Sequence, residues 1–206
     1  MNSKIAVKQL NKIKKIVSEN PESPRLAAEG WNEKWQTLVS IMLSAQTRDT
    51  TTIRVCNNLF KKYKTPASLA KASLRQIERD IGSINYYKTK AKRIKETAGM
   101  IAERGKMGES VEELILFPGV GRKTANVYLV EVKKAAAIGV DTHLSYVSQY
   151  LNWSENKTPE KIEYDLMALF PKRYWNQLNW IVVSFGQIFR SRREKDELLN
   201  KISEIK

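Results

Sequence analysis

Leu116-Phe-Pro-Gly-Val-Gly-Arg-Lys-Thr-Ala125 is the stretch that decides the fold. Residues 112–117, which lead into it, have the composition of a short helix. Residues 118–121 are typical of a tight turn, because proline and glycine punctuate regular structure. In residues 122–132 the apolar side chains recur at helical spacing. The sequence therefore predicts two helices joined by a hairpin.

The turn has the composition of an anion-binding site. Gly119 and Gly121 let a large partner approach the backbone closely, and the first N–H groups of the next helix have no partner inside that helix. Such donors bind a DNA phosphate independently of base sequence. An ordinary helical hairpin is the alternative, since its turns also use Pro and Gly. The residues predicted to contact DNA here are Pro118, Gly119, Val120, Gly121, Arg122 and Thr124.

The overall charge favours a nucleic-acid partner. The 206 residues include 36 Lys and Arg against 22 Asp and Glu, a net charge of +14. Basic proteins of membrane surfaces and RNA-binding proteins share this property. Five of the charges lie in the run of residues 88–95, which begins at Lys88, a further predicted DNA contact; the other interpretation of this run is the solvated face of a helix.

Other classes of protein are excluded by composition. A mean hydropathy of −0.47, with no apolar run of about 18 residues, argues against an integral membrane protein and against a membrane partner. The polar N-terminus lacks the apolar core of a signal peptide, so we expect a cytoplasmic, nucleoid-associated protein. One cysteine, Cys56, and one histidine, His143, exclude an internal disulfide and a thiolate or histidine metal cluster. The spacing around Cys56 predicts that it packs in the core.

Helix periodicity and helix start signals recur along the chain, and no stretch alternates long enough to indicate a strand. The fold class predicted is therefore all-α, with about ten helices. Four start signals are specific: Thr65-Pro66, Ser73 with Gln76, Ser110 with Glu113, and Thr158-Pro159.

Three segments together resemble a known family. The hairpin is followed by Val140-Asp-Thr-His143, in which Asp141 comes 18 residues after Lys123. Upstream lie Leu43-Ser-Ala-Gln-Thr-Arg-Asp49 and Ile81-Gly-Ser-Ile-Asn-Tyr-Tyr-Lys-Thr-Lys-Ala91. These segments resemble endonuclease III of the helix-hairpin-helix (HhH-GPD) glycosylase superfamily, and the resemblance covers most of the chain.

The resemblance implies a fold of two helical lobes with the active site in the cleft between them. One lobe would be a six-helix bundle spanning residues 24–133, which contains the hairpin. The other would combine residues 1–23 with 134–206. We expect a monomer whose partner is double-stranded DNA with a damaged base or an abasic site.

The resemblance also implies the catalytic residues. Lys123 matches the family's nucleophile and Asp141 its carboxylate partner. A lysine amine can attack the sugar C1′ and form a Schiff base, while a carboxylate stabilises the positive charge that develops on the sugar. Structural alternatives remain for both: Asp141 as the N-cap of the next helix, and Lys123 as a phosphate contact. His143 is expected to orient or hydrogen-bond near the site.

A glycosylase must take its target nucleotide out of the base stack and fill the gap. By the resemblance, Gln46 fills that gap, and Tyr86 is the wedge that enters the stack. Ile84 is the alternative wedge if the loop alignment shifts. Packing beneath the basic helix is the other interpretation of Tyr86.

The chain departs from the family at its C-terminus. Many relatives hold a [4Fe-4S] cluster with four C-terminal cysteines, and residues 191–206 contain none. We therefore predict no cofactor and no metal, with an amphipathic helix in the cluster's place.

Three functions follow from these observations. The first is a base-excision-repair glycosylase with AP lyase (β-elimination) activity on damaged bases, with oxidised pyrimidines expected as substrates. The second is a monofunctional glycosylase for mismatched or other bases. The third is a non-catalytic DNA-binding module.

Overall fold

The computed structural model describes residues 2–21 and 25–205 and divides the chain into two units. One unit comprises Met1–Pro24 and Lys134–Lys206, and the other comprises Arg25–Lys133. The boundary predicted between residues 23 and 24 lies outside the described residues.

The described residues form helices and no strands, so the all-α prediction is confirmed. None of the helices in this part of the chain is long and apolar enough to cross a membrane. Twelve α-helices are described, more than the ten or so predicted, together with a 3-10 helix at Lys172–Tyr174. The α-helices are α1 Ser3–Ser18, α2 Lys34–Ser44, α3 Asp49–Lys62, α4 Pro66–Lys71, α5 Leu74–Asp80, α6 Tyr87–Arg104, α7 Val111–Leu114, α8 Arg122–Lys133, α9 Thr142–Tyr150, α10 Pro159–Leu169, α11 Trp175–Ile188 and α12 Arg192–Ser203.

The unit Arg25–Lys133 is organised around α2. Eight of its eleven residues, Trp35 and 37–43, are buried, and α3, α6 and α8 pack against it. A helix that is apolar on nearly every side must lie inside a bundle. The unit contains α2 to α8, seven helices where the sequence predicted six for residues 24–133. The additional helix is short; α7 has four residues.

The predicted helix starts are partly confirmed. Thr65 and Ser73 both form capping boxes, and Pro66 occupies the first helical position. Ser110 accepts a hydrogen bond from the Glu113 N–H as predicted, but the Glu113 carboxylate accepts from the Glu109 N–H, 2.7 Å away, so the box is incomplete.

At the start of α10, Thr158 makes no capping hydrogen bond through its side chain, contrary to the prediction. Pro159 alone provides the start signal there, because its fixed φ suits the first turn and its missing N–H costs the helix nothing.

The other unit has its own apolar core. One face of α1 supplies Ala6, Leu10, Ile13 and Val17, all fully buried, and the helices α9 to α12 supply most of the remainder. The buried polar side chain of Gln9 links two other segments of this core. Gln9 accepts a hydrogen bond of 2.8 Å from the Trp153 indole and donates one of 3.5 Å to the Ile202 carbonyl.

The C-terminal helix α12 is amphipathic, as predicted. Leu199 and Ile202 are buried in the core of its unit. On its other side, the Tyr146 hydroxyl of α9 donates to the Asp196 carboxylate, and the Tyr150 hydroxyl donates to the Asn200 side-chain oxygen at 2.7 Å. The helix is therefore fixed to α1 and α9 by apolar burial and by tyrosine hydrogen bonds.

Candidate nucleic-acid interface and active site

The hairpin is built from α7, a turn and α8. Phe117 and Val120 are buried, and the Val120 N–H donates to the Phe117 carbonyl at 3.0 Å. These two side chains anchor the turn from within. The first helix ends at Leu114 and not at Phe117 as predicted, because residues 115–117 form a turn in which the Phe117 N–H donates to the Leu114 carbonyl at 3.1 Å. Since the Val120 side chain is buried, only its backbone is available to a partner.

The two glycines of the turn have different surroundings. Gly119 has φ +82°, and a Cβ atom there would lie 2.5 Å from Arg93 Cδ. Thr97 of the same helix, α6, donates to the Pro118 carbonyl at 3.1 Å. The protein itself therefore requires glycine at position 119. At Gly121 a Cβ atom would meet nothing within 4 Å. Nothing in this unit's packing explains a glycine there, whereas a partner that approaches the backbone closely would.

Helix α8 begins directly after this open glycine. Its first hydrogen bond runs from the Ala125 N–H to the Gly121 carbonyl, at 3.0 Å. Glycine has no side chain with which to cap the helix, so the helix start faces outward with its partial positive charge. Lys123 lies in this first turn and is half-buried. Its amine has no hydrogen bond or ion pair with another described residue, which leaves it available for chemistry.

The loops that carry Gln46 and Tyr86 lie side by side. The Asn85 side-chain amide donates to the Gln46 carbonyl, and the Asn85 N–H donates to Thr47 Oγ1 at 3.2 Å. Gln46 and Tyr86 are exposed; 68 % of the Tyr86 surface is accessible. Both residues have φ in the left-handed region, +55° and +59°. Sequence reasoning did not predict that these loops are in contact.

Ile84 is buried, with 2 % of its surface exposed. The alternative that it acts as the wedge is therefore wrong, since a core side chain cannot enter a DNA stack. Lys88 is exposed, as a DNA contact requires. The interpretation of the run 88–95 as a solvated face is also only partly correct, because Lys90 is buried and Lys95 donates to the Ala72 carbonyl at 2.7 Å.

Asp141 is the N-cap of α9, as the sequence predicted. Its Oδ1 accepts a hydrogen bond from the Leu144 N–H at 2.8 Å, and its carbonyl accepts from the Ser145 N–H at 2.8 Å. The cap fixes the side chain in one orientation. The bond uses one carboxylate oxygen, Oδ1, and holds the carboxylate at a defined position.

His143 packs against α11. A Cβ atom on Gly186 would lie 2.1 Å from His143 Nδ1, so the imidazole occupies the space that any other residue at 186 would fill. Gly186 was not singled out from the sequence. The available signal was a glycine inside an otherwise apolar helix, which often marks a close approach.

A four-thiolate cluster does not fit the residues of this chain. The one cysteine, Cys56, is fully buried in α3, as the core prediction required, and burial raises its pKa to about 12. In residues 2–21 and 25–205, no group of three or more His, Cys, Asp or Glu side chains could hold a metal ion.

Comparisons with known proteins agree with this geometry. Residues 39–172 match the model of the HhH-GPD superfamily base excision DNA repair proteins. The chain is 39 % identical to endonuclease III of Thermotoga maritima over 157 residues, 75 % of this chain and 74 % of that protein. Identity to endonuclease III of Bacillus subtilis is 37 % over 158 residues, 74 % and 71 % of the two chains.

Among solved structures, a trapped endonuclease III–DNA covalent intermediate superposes with a TM-score of 0.84 at 29 % identity, covering 94 % of this chain and 90 % of that one. The family model covers well over half of the chain, and the sequence relatives are matched over more than two thirds of their length. The chain therefore belongs to the HhH-GPD superfamily of base excision DNA repair proteins, among the endonuclease III enzymes.

Proposed function

We propose that this chain, a DNA glycosylase with AP lyase activity, removes oxidised pyrimidines from duplex DNA through a Schiff base on Lys123. The observation that carries the proposal is the position of this lysine. It lies two residues after Gly121, where the backbone is open to a partner, and its amine is unpaired among the described residues. A phosphate bound at the start of α8 would bring the adjoining sugar to the amine.

The proposed chemistry begins with attack of the neutral Lys123 amine on the sugar C1′. The bond between C1′ and the base breaks, and the base leaves with the electron pair and takes up a proton. Loss of the amine proton and opening of the sugar ring give a Schiff base between Nζ and C1′. This iminium withdraws electrons, so a general base can remove a proton from C2′. The 3′ phosphate then leaves by β-elimination. Hydrolysis then releases the lysine and the nicked strand.

Asp141 supplies the negative charge in this scheme. Breaking the bond to the base builds positive charge on the sugar ring, and a carboxylate in a fixed position stabilises it without having to reorganise. The hydrogen bond from the Leu144 N–H gives Asp141 that fixed position. Capping and catalysis are therefore compatible roles. His143, held against Gly186, is proposed to contact the DNA beside it.

Gln46 and Tyr86 are proposed to fill the stack when the damaged nucleotide leaves it. Extruding a nucleotide costs a few kcal/mol in lost stacking and pairing, and inserted side chains recover part of this cost. Both residues are exposed, and their loops are hydrogen-bonded to each other.

The test is borohydride trapping on duplexes that contain an abasic site or thymine glycol. We expect the wild-type protein to form a covalent adduct and Lys123→Ala to form none, because alanine offers no amine. Lys106→Ala is the matched control, since this exposed lysine belongs to the same unit and has no proposed role. An adduct that persists in Lys123→Ala would overturn the assignment of the nucleophile.

The substrate class is tested with a panel of duplexes, each carrying one oxidised, alkylated or mismatched base. Base release and strand cleavage are scored separately. Release and cleavage on the oxidised pyrimidines are expected. Base release without cleavage would indicate a monofunctional glycosylase, and no release from any duplex would indicate a DNA-binding module; either result contradicts the proposal.

A further inference from the structure

Lys90 is a buried cation with no acidic partner among the described residues. It lies in the first turn of α6, with 8 % of its surface exposed. Its Nζ donates to the Leu43 carbonyl at 2.8 Å and to the Ala45 carbonyl at 2.5 Å, and lies 3.4 Å from Thr47 Oγ1. Three acceptors match the three donors of an ammonium group. All three lie at the C-terminal end of α2 or in the loop that follows it.

A second residue joins the same two segments. Asn85, just before α6, donates through its side chain to the Gln46 carbonyl and through its N–H to Thr47 Oγ1. Thr47 is thus contacted by both Lys90 and Asn85. These donors thus hold three consecutive residues, through the carbonyls of Ala45 and Gln46 and the hydroxyl of Thr47.

The bonds hold a strained backbone. Gln46 and Tyr86 are two of four non-glycine residues with positive φ in the described chain. Side chains disfavour this region, so such conformations persist only where the surroundings enforce them. Gln46 lies between Ala45 and Thr47, and Tyr86 follows Asn85. Each strained residue is therefore adjacent to a residue that these hydrogen bonds hold.

We propose that Lys90 and Asn85 form a clamp that holds the loop 45–47 and the loop 84–86 as one unit, so that Gln46 and Tyr86 enter the DNA stack together. Lys90 is a positioning residue, because it acts through these loops and not on the reacting atoms. The inference rests on the proposed function, which assigns the gap-filling role to these two side chains.

The cost of the clamp supports a function for it. Burial lowers the pKa of Lys90 to about 8, which shows that the folded protein bears the cost of removing this ammonium from water. An apolar side chain would fill the same space without that cost. A hydrocarbon side chain, however, could not donate hydrogen bonds to the carbonyls of Leu43 and Ala45, and so could not hold their loop at one position. Preorganised loops lose less conformational freedom on binding than mobile ones.

The experiment compares Lys90→Met with the wild-type protein on two substrates. One is a duplex with thymine glycol next to 2-aminopurine, whose fluorescence rises when its stacking is lost. The other is a single-stranded oligonucleotide with an abasic site, where no base has to be displaced. Lys92→Met is the matched control, because Lys92 is an exposed residue of the same helix with an ion pair of 4.0 Å to Glu96.

For Lys90→Met we expect the rate of base release from the duplex and the 2-aminopurine signal to fall by about tenfold, which corresponds to the loss of one charge-assisted hydrogen bond. Borohydride trapping on the single strand should remain within about twofold of wild type. Lys92→Met should match wild type on both substrates. Equal losses on both substrates, or no loss on either, would overturn the clamp.

Asn85→Ala is the second variant, in case Lys90→Met does not fold. Asn85 is exposed, so the substitution leaves no buried cavity, and it removes only the side-chain bond to Gln46. We expect a smaller loss that again affects only the duplex. If even the wild-type protein fails to trap the single-stranded abasic site, the proposed function itself is contradicted. If trapping occurs and the duplex rate is unchanged in both variants, only the clamp is contradicted.

Discussion

Two helices begin at proposed active-site residues, and they begin in opposite ways. Helix α8 starts after Gly121, which has no side chain to offer its first N–H groups and where an added Cβ would meet nothing within 4 Å. Helix α9 starts after Asp141, whose carboxylate accepts from the Leu144 N–H. The first start is left open to an outside anion, and the second is satisfied by its own charge. One surface is therefore suited to binding, and the other to holding a charge in place.

The difference extends to the supporting contacts. The turn before α8 is held from behind by Arg93 and Thr97 of α6, while its outer side stays free. The start of α9 is held by its cap, and the ring of His143 packs against Gly186 of α11. Each helix start can therefore be altered without the other.

Asp141→Asn separates capping from catalysis. An asparagine caps a helix about as well as an aspartate, so the free energy of unfolding should change by less than about 0.5 kcal/mol. The charge that stabilises the sugar is lost, and we expect single-turnover base release to slow by about 100-fold or more. Thermal unfolding and single-turnover kinetics measure the two quantities. An unchanged rate of base release would show that Asp141 serves only as a helix cap.

Gly121→Ala tests whether the open start of α8 is reserved for DNA. The added methyl meets no atom of the protein within 4 Å, so stability should be preserved, but it would stand between the backbone and a phosphate. We expect the Kd for an abasic duplex to rise by about tenfold, or 1.4 kcal/mol. Fluorescence anisotropy measures this.

The matched control is Gly119→Ala, two residues earlier in the same turn. Here φ of +82° and the contact with Arg93 should cost about 1–3 kcal/mol of stability. If the two substitutions instead lower stability equally and leave the Kd unchanged, the distinction between the glycines is wrong.

Gly186→Ala tests the support behind α9. The new Cβ must displace the His143 ring, and overpacking of this kind costs about 1–3 kcal/mol. In a His143→Ala background the ring is absent, so the same substitution should cost little. A double-mutant cycle of unfolding free energies measures the coupling. Additive effects would show that the ring can move aside freely. Gly99→Ala, where the nearest atom outside its own helix is 3.9 Å away, is the control for adding a methyl group to a helix.

The features that the sequence predicted correctly rest on local signals. The Pro-Gly-Val-Gly turn, the cap at Asp141 and the amphipathic C-terminal helix each depend on residues a few positions apart, whose spacing is visible in the sequence. The burial of Ile84 and Lys90 depends on how α6 packs on the end of α2. The bonds from Lys90 span 47 and 45 residues. A basic run favours a solvated face, and only tertiary packing shows which of its members is inside.

Lys90 donates hydrogen bonds to carbonyls at the C-terminal end of a third helix, α2. Its charge therefore acts at a helix end, where the charge of Asp141 acts at a helix start. Burial lowers the pKa of Lys90 from the ordinary value of 10.5 to about 8. Between these two pH values the unfolded chain binds more protons at this residue than the folded protein does. The contribution of Lys90 to the free energy of unfolding therefore rises as the pH increases through this window.

We accordingly expect wild-type stability, measured relative to Lys90→Met, to increase by about 1 kcal/mol or less between pH 7.5 and 9. Urea unfolding of both proteins at each pH measures the difference, and subtraction removes the titration of the other groups. The clamp should weaken over the same range, because a neutral amine has two donors for three acceptors. Wild-type base release from duplex DNA should then lose its advantage over Lys90→Met as the pH rises, although the wild-type fold becomes relatively more stable. A general structural role would make the two quantities change in the same direction, so opposite trends would distinguish a residue that positions the loops from one that merely stabilises the fold.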